Sequence, residues 1–302
     1  MARVDHPKSR LVAKLSGLHL FHFEGAPCAQ RVRFALAEKG LARGRDVPWS
    51  SDAPETLAAR PGTWTSRPVS LIRREHLSDA YAAIHPDMVV PALVHDGVLQ
   101  LESMDIVRYV DDAFAGPKLI PADPAAAAHA AELVERGKTL HVSVRYVSFR
   151  WGLGRLGKLD AGAEATLQRL ERQGSPEQLV SFYARYDRDQ IDEATFLAHL
   201  RALEAGYADV EKRLADGRPF LVGDAFSVAD IIWSLTVLRI RECGYPFDRF
   251  PALSRWYARI ERRPGFQDGV MARHRTLSRV FRAKAALENL LGLGLRAASS
   301  KP

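Results

Sequence analysis

The chain has 302 residues, of which 47% are hydrophobic and 26% charged, a composition typical of a folded globular protein and not of a disordered or fibrous one. The formal net charge is +7, but residues 271–302 hold seven lysines and arginines against one acid, Glu288, which leaves 36 basic and 35 acidic residues in the remainder. A nucleic-acid-binding face would place its basic residues on the body of the protein, so no nucleic-acid partner is expected.

The length is sufficient for two domains. The two cysteines, Cys28 and Cys243, are too few for a disulfide framework and fit a reducing cytoplasm. No apolar run approaches the roughly 20 residues of a membrane-spanning helix, and the first 15 residues lack the apolar core of a secretory signal. We therefore expect a soluble, cytoplasmic protein.

The chain begins with alternating strand and helix signals. Residues 18–23 alternate in the period of a half-buried strand, and a helix follows from Cys28 to a glycine stop at Gly40. Residues 47–49 are predicted as a weak second strand. Residues 51–80 are predicted as a long polar connection, and connections of this length tend to be functional or mobile.

A β-hairpin and a helix complete this first part. Residues 89–95 are predicted as a strand, Asp96-Gly97 as a two-residue turn, and residues 98–101 as the return strand. Apolar residues at helical spacing then follow Glu102 and Ser103. The order of these elements predicts an α+β domain over residues 16–114.

The remainder reads as helical, with residues 122–270 forming an all-α domain and residues 271–302 a basic amphipathic tail. The glycine-spaced run 151–157 lacks the preceding strand of a nucleotide site and is predicted as a loop. The predicted helices span residues 125–150, 163–172, 176–186, 192–215, 227–242, 251–262 and 274–291.

Cys28 is the leading candidate for chemistry. It follows a strand and a proline-containing turn and opens a helix, where the amide groups and the helix dipole stabilise an anion and lower the pKa of a thiol. Arg31 and Arg33 are expected to add positive charge. A thiolate in this position is a nucleophile, whereas the alternative is a small buried apolar residue.

Two further features could bind a ligand. Val90-Pro91 at the start of a strand suggests a cis peptide bond that presents the main chain of Val90, and the alternative is an ordinary edge-strand proline. Glu102 and Ser103 lie where the hairpin enters a helix, so the helical amides, a hydroxyl and a carboxylate could hold an α-amino acid head group. The alternative for Ser103 is a simple helix cap.

Together these strings resemble the thioredoxin-like domain of the glutathione S-transferase superfamily. The resemblance rests on Cys-Ala-Gln-Arg-Val-Arg from Cys28, Val-Pro-Ala-Leu from Val90, and Glu102-Ser103. In the second part, residues 220–230 resemble the N-capping box and hydrophobic staple of the family. Ser227 would cap the helix, Asp230 would reach back to it, and Phe226 would pack on Ile231.

Within the superfamily the chain most resembles bacterial hydroquinone reductive dehalogenases, and this resemblance rests on residues 21–23, 28–33, 89–91, 121–124 and 220–233. The resemblance implies a thioredoxin-like domain followed by an all-α domain, glutathione as cosubstrate, and a homodimer. It places the resolving thiol on Cys28, the γ-glutamyl group of glutathione on Glu102 and Ser103, and its cysteinyl main chain on Val90, before Pro91. No metal site is expected. The implied substrate is an aromatic or otherwise hydrophobic small molecule.

Two departures from the dehalogenase pattern leave the reaction open. Ala26 and Ala29 stand where relatives often carry serines, and the basic residue that relatives have before the cis-proline is absent. The glycyl carboxylate of glutathione would need another cation, from among Arg67, Arg73, Arg74 and His76. The alternatives are a conjugase or ether-cleaving transferase, in which the thiolate of glutathione attacks, and a non-catalytic transferase-like binding module.

Two helical features have alternative interpretations. Aromatic residues could line an apolar substrate pocket, although most such residues form core. The tail could lie on an anionic membrane, and the favoured alternative is a helix docked on its own domain with a solvated basic face. The aromatic residues are Tyr146, Phe149, Trp151, Phe182, Tyr183 and Trp233.

Overall fold

The computed structural model describes residues 3–4, 7–158, 163–172 and 177–300. The chain divides into two compact units, one within residues 1–116 and 159–190 and the other within residues 117–158 and 191–302. The domain boundaries 16–114 and 122–270 stay a prediction. In the described ranges, no helix is long and apolar enough to cross a membrane.

The first unit is built on a six-stranded mixed sheet with the order β1-β6-β5-β2-β4-β3. Strand β2 pairs in parallel with β4 and antiparallel with β5, and β3 is parallel to β4. The remaining pairs, β5–β6 and β1–β6, are antiparallel. The strands are β1 (Arg3–Val4), β2 (Leu18–His22), β3 (Ala42–Asp46), β4 (Thr63–Pro68), β5 (Ala92–His95) and β6 (Val98–Gln100).

Six helices belong to the same unit. The helices are α1 (Arg10–Lys14), α2 (Pro27–Glu38), α3 (Asp79–Ala82), α4 (Ser103–Ala113), α6 (Ala163–Arg172) and α7 (Glu177–Asp187). A small apolar cluster joins the segment before β5 to helices α6 and α7. It contains Leu77, Ala82 and Met88 from that segment, Leu167 from α6 and Val180 from α7. The thioredoxin-like α+β prediction is confirmed.

The predictions for strand β2, helix α2, the hairpin and helix α4 are confirmed. Asp96 and Gly97 both have positive φ, 49° and 78°, as a two-residue turn matched to the strand twist requires. The strand predicted at residues 47–49 is wrong, because the pairing involves residues 42–46 instead. The connection predicted over residues 51–80 is also wrong in its middle, which forms β4 between β2 and β3.

Strand β4 is a buried strand with polar side chains. Thr65, Ser66 and Arg67 are buried, and such groups must find hydrogen-bond partners. Arg67 donates through Nη1 to the carbonyl of Ser51 at 2.9 Å and through Nη2 to that of Thr56 at 2.8 Å. Ser66 Oγ lies 2.8 Å from His22 Nε2. Hydrogen-bond partners in neighbouring segments thus satisfy these buried polar side chains. Strand β4 therefore lacks the alternation of apolar and polar residues by which a strand is usually recognised in a sequence.

Helices α2 and α4 pack against each other and are joined by a buried ion pair. Lys39 Nζ, just after α2, lies 3.0 Å from Asp111 Oδ1 and 3.2 Å from the Asp111 carbonyl. Both side chains are buried. Removing one partner of such a pair leaves a buried charge, which typically costs about 3–5 kcal/mol. The pair therefore fixes how the two helices lie along each other.

The second unit is helical, and α9 is its core helix. Gly137 on α5 and Gly206 on α8 let these helices approach α9, since a Cβ at Gly137 would lie 2.9 Å from Ile232. Trp233 on α9 is fully buried and donates to the Leu133 carbonyl at 2.9 Å. The helices are α5 (Pro124–Val147), α8 (Glu193–Leu214), α9 (Val228–Glu242), α10 (Pro251–Glu261), α11 (Pro264–Phe266), α12 (Arg275–Leu290) and α13 (Leu295–Ser299).

The buried Asp230 carboxylate at the start of α9 accepts hydrogen bonds from three segments. The Ser227 amide donates at 2.8 Å, which confirms the predicted reach of Asp230 back to the cap, and the Ser227 hydroxyl lies at 3.1 Å. The Leu221 amide donates at 3.0 Å and the Trp256 indole at 2.8 Å. Burial raises the pKa of this carboxyl group. The predicted contact of Phe226 with Ile231 stays a prediction.

Replacing this carboxylate should destabilise the fold without changing the chemistry. Asp230→Ala leaves the buried donors of Ser227, Leu221 and Trp256 without their acceptor, and we expect a loss of about 3–5 kcal/mol in the free energy of unfolding. Urea denaturation measures it, with the exposed Asp224→Ala on the same loop as the matched control. A stable variant whose folded fraction no longer binds glutathione would place Asp230 in the active site instead.

Candidate active site

The register of the sheet brings the predicted site residues together at one edge. This edge is not an outer strand but the side of the sheet on which β2 and β6 end and β5 begins. Phe21 near the end of β2 pairs with Ala92 at the start of β5, and Leu93 pairs with Gln100 at the end of β6. The chain therefore leaves β2, enters β5 and leaves β6 on the same side. Cys28 follows β2, Val90 precedes β5, and Ser103 follows β6, so these three lie at this edge.

Cys28 is the second residue of helix α2 and is partly exposed. Pro27 occupies the first helical position, and the N-cap residue, Ala26, forms no side-chain cap. The amides of the first turn and the positive end of the helix dipole are thus directed towards the region around the sulfur. The low pKa of the Cys28 thiol stays a prediction.

Arg31 connects the cysteine to the start of helix α4. Its Nη1 lies 3.6 Å from Cys28 Sγ and 3.5 Å from Ser103 Oγ, and its side chain is only 3% exposed. A buried guanidinium interacts more strongly with a nearby anion than one in water does. One cation therefore lies beside both the candidate nucleophile and the candidate ligand-binding hydroxyl.

Ser103 is the first residue of α4, and Glu102 occupies the cap position. The alternative that Ser103 is simply the helix cap is therefore wrong. Its hydroxyl faces Arg31, and the first amides of α4 have no acceptor within the helix. Hydroxyl, amides and guanidinium are all groups that can bind a carboxylate, so the prediction that Ser103 binds one stands as a proposal for this position.

Glu102 has a main-chain conformation that is rare for a residue with a side chain. Its φ is +60°, in the region where a Cβ is sterically costly by roughly 1–3 kcal/mol. The side chain is exposed at the same edge as Cys28. Such conformations persist only where the surrounding structure holds them in place, and they concentrate at ligand-binding positions.

The peptide bond between Val90 and Pro91 is cis. Val90 is buried, and the hydroxyl of Tyr81 donates to the carbonyl of the preceding residue, Val89, at 2.9 Å. Among the described residues, the main chain of Val90 forms no hydrogen bond. Its amide and carbonyl can therefore pair with the main chain of a ligand.

Arg33 does not act beside the cysteine as the sequence suggested. Its guanidinium lies 3.3 Å from the Glu24 carboxylate, donates to the Glu24 carbonyl at 2.9 Å, and donates to His22 Nδ1 at 3.1 Å. Burial lowers the pKa of Arg33 to about 10, so it stays protonated at neutral pH. Its charge is balanced by Glu24, and Arg31 is the cation that contacts the thiol.

Arg67 is likewise excluded as the cation for a ligand carboxylate. It is fully buried, and its donors are used by the carbonyls of Ser51 and Thr56 and by His19 Nδ1 at 3.2 Å. Burial lowers the pKa of His19 to about 4, which keeps it neutral as an acceptor. Of the other candidates, Arg73 is exposed and paired with Glu75 at 2.8 Å.

Three of the aromatic candidates are core residues. Trp151, Phe182 and Trp233 are at most 3% exposed, as is common for aromatic side chains in folded proteins. Tyr146 is half-buried and stacks on His199, with 3.8 Å between ring centroids. In the part of the chain that the structure describes, no cluster of His, Cys, Asp or Glu is suited to a metal ion.

Family models match both parts of the chain. Residues 20–118 match the model "Glutathione S-transferase, N-terminal domain", and residues 176–264 match "Glutathione S-transferase, C-terminal domain". A similar protein is the 2,5-dichlorohydroquinone reductive dechlorinase of Sphingobium indicum, which is 28% identical over 75% of this chain and 72% of its own. The resemblance inferred from the motifs is thereby confirmed.

Solved structures agree on the fold. A beta-etherase from Sphingobium sp. strain SYK-6 superposes with a TM-score of 0.70 at 22% identity, over 84% of this chain and 99% of its own. The theta class glutathione S-transferase from Xanthomonas axonopodis pv. citri, with glutathione bound, gives a TM-score of 0.58 at 23% identity, over 85% and 98% of the two chains. At these identities the likeness concerns the fold.

The two cysteines should differ sharply in reactivity. Burial raises the pKa of the Cys243 thiol to about 12, so almost no thiolate forms there at neutral pH. Cys28 is partly exposed beside Arg31. We expect iodoacetamide at pH 7.5 to modify Cys28 alone in the folded protein and both thiols after denaturation, as measured by peptide mass spectrometry. Modification of Cys243 before Cys28 would contradict this assignment.

Proposed function

Because the chain belongs to the glutathione S-transferase family, whose enzymes use glutathione as cosubstrate, we propose that it transfers thiols or reduces glutathione conjugates through Cys28. The observation that carries the proposal is the position of Arg31, which lies within 3.6 Å of both Cys28 Sγ and Ser103 Oγ. Glutathione held at Ser103 would then have its sulfur-bearing part close to the reactive thiol.

Glutathione binds through its γ-glutamyl end and its central cysteinyl residue in this proposal. The α-carboxylate of the γ-glutamyl group accepts hydrogen bonds from the Ser103 hydroxyl and the first amides of α4, and the exposed Glu102 carboxylate pairs with the ammonium group. The main chain of Val90, before Pro91, pairs with the cysteinyl residue as an added strand would. The buried Arg31 contributes positive charge to the carboxylate site.

The reaction is a thiol–disulfide type of exchange. The Cys28 thiolate attacks the sulfur of glutathione in a mixed disulfide or an aromatic conjugate, and the bond from that sulfur to the departing group breaks. The departing group leaves with the electron pair and takes a proton. A second glutathione thiolate then attacks the Cys28–glutathione disulfide, which returns the Cys28 thiolate and releases oxidised glutathione.

The proposed acceptor is an aromatic or otherwise hydrophobic small molecule. The dechlorinase relative is named for a chlorinated hydroquinone, which is an aromatic molecule of this class. We further propose a homodimer in a reducing, cytoplasmic compartment. Light scattering of the purified chain tests the first of these proposals.

The role of Cys28 can be tested by removing its sulfur. Cys28→Ser should lower turnover of the mixed disulfide of glutathione and 2-mercaptoethanol by at least about a thousandfold, since the nucleophile is lost. Glutathione affinity, measured by calorimetry, should be retained. Cys243→Ala is the matched control and should keep its activity.

The outcomes separate the alternatives. Activity retained in Cys28→Ser would favour the conjugase or ether-cleaving alternative, in which the thiolate of glutathione attacks and Cys28 only donates a hydrogen bond. A wild-type chain that binds no glutathione would favour the non-catalytic module.

The second test concerns Ser103. Ser103→Ala removes one charge-assisted hydrogen bond, so glutathione affinity should weaken by about 1.5–3 kcal/mol, or roughly 10- to 150-fold. Stability should change little, because Glu102 and not Ser103 occupies the cap position. Ser148→Ala, equally buried in the second unit, is the control. Unchanged calorimetric affinity in Ser103→Ala would remove Ser103 from the site.

A further inference from the structure

Helix α12 docks on the second unit through one of its faces. His274, Ser278, Phe281 and Ala285 follow helical spacing and are buried, and α12 packs against α9. His274 Nε2 lies 2.6 Å from Glu242 Oε1 on α9. The favoured prediction for the tail, a helix docked on its own domain, is confirmed.

The outward face of this segment is unusually apolar. Among the described residues, six large hydrophobic side chains are strongly exposed, and five of them lie between residues 280 and 293. Leu290 is 83% exposed and Leu293 70%. Single exposed leucines are ordinary, whereas a cluster marks an interaction surface. The five are Val280, Leu287, Leu290, Leu291 and Leu293.

The exposed side chains are sorted into two rows along the helix. At about 100° per residue, Arg275, Arg279 and Arg282 fall within roughly 60° of one another.

The apolar row is formed by Val280, Leu287 and Leu291, which fall within about 40° of one another around the helix axis. Its centre lies about 130° from that of the arginines, which form the basic row, and both centres are on the half of the helix that faces away from its buried side chains. Two further leucines are exposed here, Leu290 at the end of α12 and Leu293 in the turn that follows, and we call these two the turn leucines. The tail surface is the combination of the basic row, the apolar row and the turn leucines.

The charge of the tail surface is positive and uncompensated. Among the described residues, neither Arg279 nor Arg282 forms a hydrogen bond or an ion pair, and both are exposed. The one acid of the tail, Glu288, is paired with Lys284 at 2.7 Å. The positive charge is thus available to an anionic partner.

We propose that the tail surface docks the protein on an anionic lipid membrane. The apolar row and the turn leucines insert among the acyl chains near the interface, and the arginines reach the negative headgroups beside them. Each arginine near such a surface contributes about 1 kcal/mol. Apolar insertion and charge together supply the two signals that stable peripheral binding requires.

Other occupants fit the surface less well. A second copy packed symmetrically would bring the same face against itself, and its arginines would meet arginines with no acid to pair with. A nucleic acid would use the arginines but leave the leucines without apolar partners. An anionic membrane satisfies both rows at once.

Vesicle sedimentation of the full chain tests the proposal. We expect binding to vesicles of about three parts phosphatidylcholine to one part phosphatidylserine, weak binding to phosphatidylcholine alone, and weakening by salt. Arg279→Gln with Arg282→Gln should weaken binding about 30-fold. Leu287→Ser with Leu291→Ser should weaken it at least about tenfold.

Matched controls separate the surface from general charge and hydrophobicity. Arg60→Gln with Arg255→Gln removes two exposed arginines elsewhere, and Ile72→Ser removes an exposed apolar side chain; both should bind as wild type does. The melting temperature checks folding, and Leu290→Ser with Leu293→Ser in the turn repeats the apolar test if the first pair destabilises the helix.

Several results would overturn the proposal. These are no sedimentation with the phosphatidylserine vesicles, or sedimentation that the tail variants leave unchanged. A change of oligomeric state in the tail variants without vesicle binding would assign the surface to a second copy, and retention on DNA without vesicle binding would assign it to a nucleic acid.

Discussion

The position of Cys28, the candidate nucleophile, depends on how α2 and α4 lie side by side. Two contacts determine this: Arg31 meets Ser103 at the start of the helices, and Lys39 meets Asp111 at their ends. Each contact lies eight residues from the other along its own helix, which is about 12 Å of rise in both. The helices are therefore parallel and in register. A shift of one by a turn would break the buried Lys39–Asp111 pair and separate Cys28 from Ser103.

Part of the interior around the sheet is polar. Buried guanidinium groups of Arg33 and Arg67 hold the segments after β2 and before β4 through main-chain carbonyls. Burial lowers the pKa of each to about 10, which still leaves them charged at neutral pH. Because Nδ1 of His19 and Nδ1 of His22 accept hydrogen bonds from these donors, both guanidinium groups have partners. The chain around the site is thus rigidly held by hydrogen bonds rather than by apolar packing alone.

This polar interior also explains what the sequence could and could not predict. Strand β2, helix α2 and the hairpin were predictable because apolar alternation, a glycine stop and an Asp-Gly turn act locally. Strand β4 was missed because Ser66 and Arg67 are buried through distant partners, which no local pattern records. Of the candidate site, Cys28, Val90 and Ser103 were predictable from motifs. The contact of Arg31 with Ser103 was not predictable, because the two residues are 72 positions apart in the sequence. Arg31 follows Cys28 by three positions, which does predict that these two residues share a helix face.

The outer strands of the sheet have a consequence for assembly. An unpaired strand edge is a template for joining the sheets of two molecules, and proteins block it with very short strands or with charge. Here β1 at one edge has two residues, and β3 at the other reads Ala-Arg-Gly-Arg-Asp. Three of the five residues of β3, namely Arg43, Arg45 and Asp46, are thus charged. Both edges thus discourage continuation of the sheet from molecule to molecule, which protects a crowded solution of this protein against fibrous aggregation.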